Sequence, residues 1–401
     1  MDPTVRLFDA DSHLFDFDAT VLSCEPLTAG GFSVILDRTA FFPEGGGQAA
    51  DPGTLGGMPV SDVQADPSGI IRHTVPHPLT PGVSVQGQVD ATIRSERMQC
   101  HSGEHLVSGV IYARYGYRNV GFHLGDEDVT LDFDGVLSRK QLDEVEDEVN
   151  RFIRACLPVR AYYPATDELA AMSYRAKLAL TENVRIVEIG NSEILCDRCA
   201  CCAPHVRNTG EIGLVKLLDF IHYKGGVRIH MLAGSRAMRD YREQYTTVSD
   251  IAVSLSVRRE DAAEAFRRIQ AENAELRRAA GVLRRQMQDM RAAALPETSG
   301  NLCLFEEGLD AQDLRWLLNR AVSGCGGVCG VFSGSDEAGY LYVIGRRDPS
   351  LDLRLISGTI REELNARGGG SSDMLQGRAA ASRSVIEAFF ETHTFSSEKS
   401  E

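Results

Sequence analysis

Over residues 1–90, apolar and polar positions alternate in short β-rich runs. They fall at Ala19–Glu25, Phe32–Thr39, Met58–Asp66, Gly69–Val75 and Ser84–Asp90. Clusters of Gly, Pro and Asp separate them, the pattern of a small barrel or sandwich. From residue 91 the period changes. A helix is expected from about Ser95 to Tyr115, stopped by Gly116, and an amphipathic helix over Ser138–Cys156. Val129–Asp134 and Val184–Ile189 read as strands, and residues 213–232 as a hairpin turning at Gly225–Gly226. The pattern changes again over residues 250–295. Ala262, Ile269, Leu276, Leu283 and Met290 recur every seventh position, with Phe266, Asn273, Ala280 and Met287 between them. This is a heptad seam, ended by Pro296. Residues 300–395 again mix short strands with a terminal helical run, Ser382–Phe390, and residues 396–401 read as a disordered tail.

The predicted fold class is therefore α+β in four parts. These are a β-barrel at 1–92, an α/β domain at 93–248, a long helical linker at 249–296 and a small α/β domain at 297–395. No apolar run is long enough to span a bilayer, and the start of the chain lacks the basic-then-apolar pattern of a secretory signal, so a cytoplasmic location is expected. A net charge of −15 argues against indiscriminate nucleic-acid binding. Only the heptad segment gathers basic residues, with Arg pairs at 258–259, 267–268, 277–278 and 284–285, and Arg291 beyond them.

Candidate chemistry lies in two pairs. His101 and His105 are four residues apart on the expected helix, so both imidazoles can face one ion. Cys201 and His205 form a second pair, and together they make a borderline-soft set suited to tetrahedral zinc. Cys196 and Cys199 form a C-x-x-C of their own, so Cys199 and Cys202 compete with Cys201 as the ligand. Crowding of four thiols within seven residues fits a metal site in a reducing compartment better than disulfides. Glu104 completes an H-x-x-E-H helix, which also matches an inverted zinc-peptidase motif. Gly45, Gly46 and Gly47, directly before Gln48, permit a backbone that approaches a ligand closely.

Four blocks occur in order: TAFFPEGGGQAAD, HSGEHL, CCAPHVRNTGEIGLVK and GGGSSDMLQG. Their content and order resemble the editing and C-terminal domains of alanyl-tRNA synthetase, and most of all the long form of the freestanding AlaX editing proteins. The resemblance runs from about residue 20 to 390 and leaves no room for an aminoacylation domain before it. It implies one Zn2+ per chain held by His101, His105, Cys201 and His205. It implies a tRNA partner, tRNA(Ala), and hydrolysis of Ser- or Gly-tRNA(Ala). Thr39 then matches a residue that contacts the hydroxyl of misattached serine, and Gln48 lines the same pocket. Gly45, Gly46, Gly47 and Thr209 are expected to contact substrate, and Glu104 or His123 to assist a water. The C-terminal domain is expected to bind tRNA and the helical linker to assist a homodimer, with no membrane role. Where the family has small residues and Thr between Cys and His, this chain has Cys202, Ala203 and Pro204. Two other classes compete: a zinc peptidase, and a non-catalytic tRNA-binding module with a structural zinc.

Overall fold

The computed structural model describes residues 2–176, 184–294 and 297–395, with the backbone alone at 291 and 292. Pro296 and the tail from 396 lie outside the described residues. The chain divides into two compact units, Met1–Val253 and Ser254–Glu401. Among the described residues no helix is long and apolar enough to cross a membrane.

The first unit opens with β1 (Val5–Arg6), α1 (Leu7–Ala10), β2 (Asp16–Pro26), β3 (Phe32–Leu36), β4 (Arg38–Thr39), β5 (Gly53–Leu55), β6 (Met58–Val60), β7 (Asp62–Ala65), β8 (Ile71–Val75) and β9 (Ser84–Val89). Seven of these strands form one sheet in the order β6-β5-β9-β2-β3-β8-β7. Its two edge strands are consecutive in sequence, separated only by Ser61, so the sheet curls into a nearly closed barrel. Val21, Val34, Leu36, Phe41, Leu55, Val63 and Ile71 fill it. The alternating runs thus became strands, whereas β1, α1 and the three-residue β5 were not foreseen.

The rest of the unit comprises α2 (Ala91–Tyr115), β10 (Asn119–Leu124), β11 (Val129–Phe133), α3 (Arg139–Arg154), β12 (Val159–Tyr162), α4 (Thr166–Ala171), β13 (Ile186–Gly190), β14 (Leu195–Ala200), β15 (Val215–Tyr223), β16 (Gly226–Ala233) and α5 (Gly234–Ser254). Helix α2 starts four residues before Ser95 because the Asp90 side chain caps it, accepting from the N–H groups of Thr92 and Ile93. It ends where expected: Gly116 adopts φ +72°, and its N–H bonds the Tyr112 carbonyl. Helix α3 begins with the Ser138–Gln141 capping box and buries Leu142, Val145, Val149 and Ile153. Both helices pack on the four-stranded sheet β10-β11-β16-β15. The hairpin turn falls on Lys224 and Gly225, one residue earlier than expected, because Gly226 already pairs with Tyr223. Helix α5 runs unbroken across position 249, where the linker was expected to start, since no proline or glycine interrupts residues 235–254.

Close approach of β14 to α2 is what builds the centre of this unit. Residues 100–111 of α2 are all buried. A Cβ at Gly109 would lie 2.4 Å from the Cys196 carbonyl oxygen and 2.9 Å from the Asp197 Cβ. Glycine there costs helix propensity, roughly 1 kcal/mol relative to alanine. In exchange β14 rests directly on the helix.

The second unit contains α6 (Ala262–Ala293), β17 (Leu302–Phe305), α7 (Ala311–Ala321), β18 (Val328–Ser335), β19 (Gly339–Arg346), α8 (Ser357–Glu363), β20 (Ala366–Gly370), β21 (Met374–Ala379) and α9 (Arg383–Thr392). Its sheet runs β17-β18-β19-β21-β20. The heptad segment is helical, and its seam is solvent-facing: Ile269, Leu276, Leu283 and Met290 are all exposed. Of the seam positions Ala262 is buried, and Ala265 and Gln288, off the seam, are buried too.

Candidate metal centre

His101 and His105 project from the buried middle of α2, and Cys201 and His205 follow β14. Their ligand atoms all lie within 4.8 Å of one another; the three histidines are buried and Cys201 is half-buried. Cys201 Sγ is 3.5 Å from His101 Nε2 and 3.4 Å from His205 Nε2. The three imidazole rings stand 4.6–5.5 Å apart, centroid to centroid.

Each imidazole has its other nitrogen engaged. His101 Nδ1 lies 3.0 Å from Gln48 Oε1, His105 Nδ1 3.0 Å from Asp197 Oδ2, and His205 Nδ1 3.0 Å from Ser102 Oγ. Ser102 Oγ also accepts from the Val206 N–H at 3.3 Å. An amide oxygen, a carboxylate and a hydroxyl thus each stand where they can accept the Nδ1 proton of one ring. With Nδ1 as the protonated nitrogen, each ring would offer its Nε2 lone pair to a metal at the shared centre, the support that metal-ligating histidines require. The donor set therefore fits a bound metal ion.

The four neighbouring thiols differ in their electrostatics. Burial pushes Cys201 up, but His101 and His205 outweigh it and hold the thiol well below its usual range. Burial raises Cys199 to about 11 and Cys196 to about 12, and it also raises Cys202. Of the four thiols, that of Cys201 lies against His101 Nε2 and His205 Nε2, and only a thiolate ligates well. Burial lowers His105, yet its hydrogen bonds to Asp197 and Cys201 hold it well above its ordinary value. Burial takes His205 down to about 3. Asp197 stays below the usual carboxylate range because Arg175 offsets its burial. Arg175 grips both carboxylate oxygens, at 2.7 and 2.8 Å.

The C-x-x-C reading does not hold geometrically. Cys196 and Cys199 lie three apart on β14, so they face opposite sides of the sheet. Cys196 joins the apolar core, while Cys199 sits with His105 and Asp197 in a second group of ligand-type atoms.

The glycine loop reaches this centre. Gly45 and Gln48 exchange two backbone hydrogen bonds of 3.0 Å. Gly46 and Gly47 take φ of +61° and +86°. A Cβ on Gly47 would meet the Phe122 carbonyl oxygen at 2.6 Å, and the Gly47 carbonyl accepts from the Leu124 N–H at 2.9 Å. The close approach the glycines permit is thus to β10, and the Phe122 ring packs 4.7 Å from that of His101. Gly46 faces Cys202 Sγ, 3.9 Å from where its Cβ would be.

The remaining sequence candidates are placed differently. Glu104 is buried, and its Oε1 accepts from Ser108 Oγ at 2.6 Å and Asn119 Nδ2 at 2.7 Å. Its second oxygen lies 3.8 Å from His105 Nε2. Thr39 is fully buried; its hydroxyl lies 2.9 Å from His73 Nε2 and accepts from the Phe41 N–H at 3.1 Å. Thr209 is buried too. Its hydroxyl donates to the Phe152 carbonyl at 2.7 Å and accepts from the Leu157 N–H at 2.9 Å, so its one proton is spent inside the fold. His123 is exposed, and strand alternation turns it to the face opposite Phe122, so it is not brought to the cluster. Sequence reasoning missed Asp197, Ser102 and Arg175. Two of them stood in plain view, Ser102 inside H-S-G-E-H and Asp197 inside C-D-R-C.

Residues 184–238 match the family described as the threonyl and alanyl tRNA synthetase second additional domain. The chain is 30% identical over 386 residues to an alanine–tRNA ligase of Halorubrum lacusprofundi, covering 92% of this chain and 40% of that protein. It is 29% identical over 279 residues to the alanyl-tRNA editing protein Aarsd1 of Bos taurus, covering 65% of this chain and 61% of the relative. The likeness to the alanyl-tRNA editing protein Aarsd1 of Danio rerio is 25% over 407 residues and spans 96% and 97% of the two chains.

Proposed function

The chain belongs to the AlaX-like alanyl-tRNA editing proteins, and from that premise we propose that it is a trans-editing deacylase for mischarged tRNA(Ala). The reaction is hydrolysis of the ester between a wrongly attached amino acid, serine or glycine, and the terminal ribose. The observation that carries the reading is the convergence of three Nε2 atoms and one thiolate beside the glycine loop. The metal in this reading is one Zn2+, held by His101, His105, Cys201 and His205. When bound it supplies positive charge to position and polarise the substrate. Four protein ligands favour positioning over generating hydroxide, because catalytic zinc ordinarily keeps one coordination position open.

The chain's own residues supply the rest. Asp197, Ser102 and Gln48 hold the three imidazoles in their ligating tautomers. Thr39 discriminates in this reading. Burial takes His73 down to about 4, so the ring is neutral, and its Nδ1 lies 3.3 Å from the Val34 carbonyl. Its Nε2 therefore accepts the Thr39 proton, and Thr39 keeps one lone pair for the hydroxyl of a seryl substrate. Alanine offers no hydroxyl, and the unmet hydrogen bond disfavours it by roughly 1–3 kcal/mol.

Residues 1–92 and 93–248 form the two parts of the editing unit in this proposal. The 249–296 linker and the 297–395 domain carry tRNA binding and dimerisation. The decisive experiment is deacylation of Ser-, Gly- and Ala-tRNA(Ala) with and without a chelator. Release of serine or glycine, lost on chelation and restored by zinc, supports the proposal; no release from any of the three rejects it.

A further inference from the structure

Gln48 is 1% exposed, and its two amide atoms have unequal fates. Oε1 meets His101 Nδ1 at 3.0 Å. Nε2, on the same amide, is buried and has no hydrogen-bond partner among the described residues. The orientation is not interchangeable. If the amide were turned over, its N–H would face His101 Nδ1, which would have to be the unprotonated nitrogen. His101 Nε2 would then carry the proton and have no lone pair for a metal. Service as a ligand thus forces the oxygen toward His101 and leaves two N–H bonds unmatched beside the cluster. A buried donor without an acceptor destabilises the fold, and a bound ligand is one way in which such a group is completed.

We infer that Gln48 has a split role. Its Oε1 is a positioning group for His101, and its Nε2 is the donor to the carbonyl oxygen of the scissile ester. This rests on the deacylase reading above. As water oxygen bonds to the ester carbon, the carbonyl π pair moves onto the carbonyl oxygen, where negative charge grows. Collapse re-forms the C=O bond and breaks the bond to the ribose oxygen. One water proton ends on the ribose hydroxyl and the other passes to solvent, leaving an amino-acid carboxylate. A donor already fixed at that oxygen strengthens its bond as the charge develops, and this lowers the barrier rather than the ground state. The reciprocal Gly45–Gln48 backbone bonds fix the turn from which this side chain projects.

The test uses the full zinc-loaded chain with Gln48→Glu and Gln48→Met, each checked for unchanged circular dichroism. Both zinc affinity, by chelator competition, and kcat and KM for seryl-tRNA(Ala) are measured. Glutamate keeps an oxygen for His101 but, ionised beside the metal, has no proton to donate. Gln48→Glu is expected to hold zinc within a few-fold of the unsubstituted chain while kcat falls about 10²–10³-fold at nearly constant KM. Gln48→Met, lacking both functions, is expected also to weaken zinc by about 10–100-fold. The inference is overturned if kcat of Gln48→Glu is unchanged, or if Gln48→Glu loses zinc as far as Gln48→Met. An unsubstituted chain inert on every mischarged tRNA would instead remove the deacylase reading on which the inference stands.

Discussion

Asp197 sets one carboxylate oxygen 3.0 Å from His105 Nδ1 while Arg175 bonds both of its oxygens. The carboxylate therefore joins a buried ion pair to a metal ligand. Asp197→Asn retains an acceptor for His105 but leaves Arg175 without its countercharge. Breaking such a pair from one side costs about 3–5 kcal/mol. Zinc affinity is expected to fall about 10–100-fold as His105 loses its charged partner. Urea melts and chelator competition measure the two effects separately. An Asn variant that matches the unsubstituted chain in both would show that Asp197 braces neither group.

His73 gives a pH signature. Burial holds it at about 4 in the fold, below its ordinary value of 6.5. Below pH 6.5 the unfolded chain takes up a proton that the fold refuses. The stability contribution is thus complete above about pH 6.5 and declines as pH falls toward 4, by at most about 3 kcal/mol in total. The slope of stability against pH over this range is expected to flatten in His73→Gln relative to the unsubstituted chain, both zinc-loaded. Equal slopes would mean that the ring takes up its proton in the fold as it does in the unfolded chain. The comparison of slopes, rather than of absolute stabilities, cancels whatever the substitution does to packing.

Two neighbouring glycines should respond very differently. Gly47 lies at φ +86° with the Phe122 carbonyl oxygen 2.6 Å from its would-be Cβ, whereas the nearest atom to a Cβ on Gly45 is 3.9 Å away. For Gly47→Ala the left-handed backbone alone costs about 1–2 kcal/mol. The clash adds to that by displacing Phe122 from the ring of His101. Gly47→Ala is expected to lower both thermal stability and zinc affinity, and Gly45→Ala to leave both nearly unchanged. Indistinguishable melting curves for the two variants would contradict the close packing of the loop on β10.

The parts of the centre that were legible in the sequence are the local ones. His101 and His105 share a helix face by spacing alone, and Cys201 and His205 stand four apart. What unites the two pairs is not local. It depends on the bare backbone at Gly109, against which β14 rests, and no periodicity encodes that approach. His123 lies apart from the cluster, and the signal for that was available. In V-G-F-H-L-G, alternation puts Phe122 and Leu124 on one face and His123 on the other. Thr209 has its hydroxyl engaged within the fold, which its sequence neighbours do not reveal. A threonine near a ligand motif looks like a substrate contact, but its hydroxyl braces the chain beyond α3. The barrel strands were visible in their alternation except for β5, whose three residues are too few to show a period.

The exposed seam of α6 tests the homodimer proposal. Leu276 and Leu283 are 68% and 60% exposed in the single chain. Fully burying a leucine in an apolar interface contributes about 1.5–3 kcal/mol. If two copies pair along the heptads, light scattering of the full chain should give twice the chain mass. Leu276→Glu with Leu283→Glu should return it to one. A monomer at every accessible concentration would remove the dimer, and a dimer that survives both substitutions would move the interface elsewhere.

Truncation separates the proposed tRNA-binding half from the chemistry. Cutting at residue 250 would sever α5, which continues to Ser254. The compact first unit ends at Val253, so the informative fragment stops at Ser254 and keeps the helix whole. All four metal-ligand candidates and the glycine loop lie within it. The fragment is expected to bind zinc with unchanged affinity. Its tRNA affinity should fall, because the exposed Arg pairs of α6 at 267–268, 277–278 and 284–285 are gone. The reason is electrostatic: with a net charge of −15 on the whole chain, phosphate binding must come from a local basic stripe. For every phosphate that the fragment no longer neutralises, the slope of log affinity against log salt should shrink by about 0.7–0.9. The expected outcome is therefore weaker binding with a shallower salt dependence, measured by titration at several ionic strengths. A fragment that binds tRNA as tightly, and with the same slope, as the full chain would place the RNA-binding surface in the first unit.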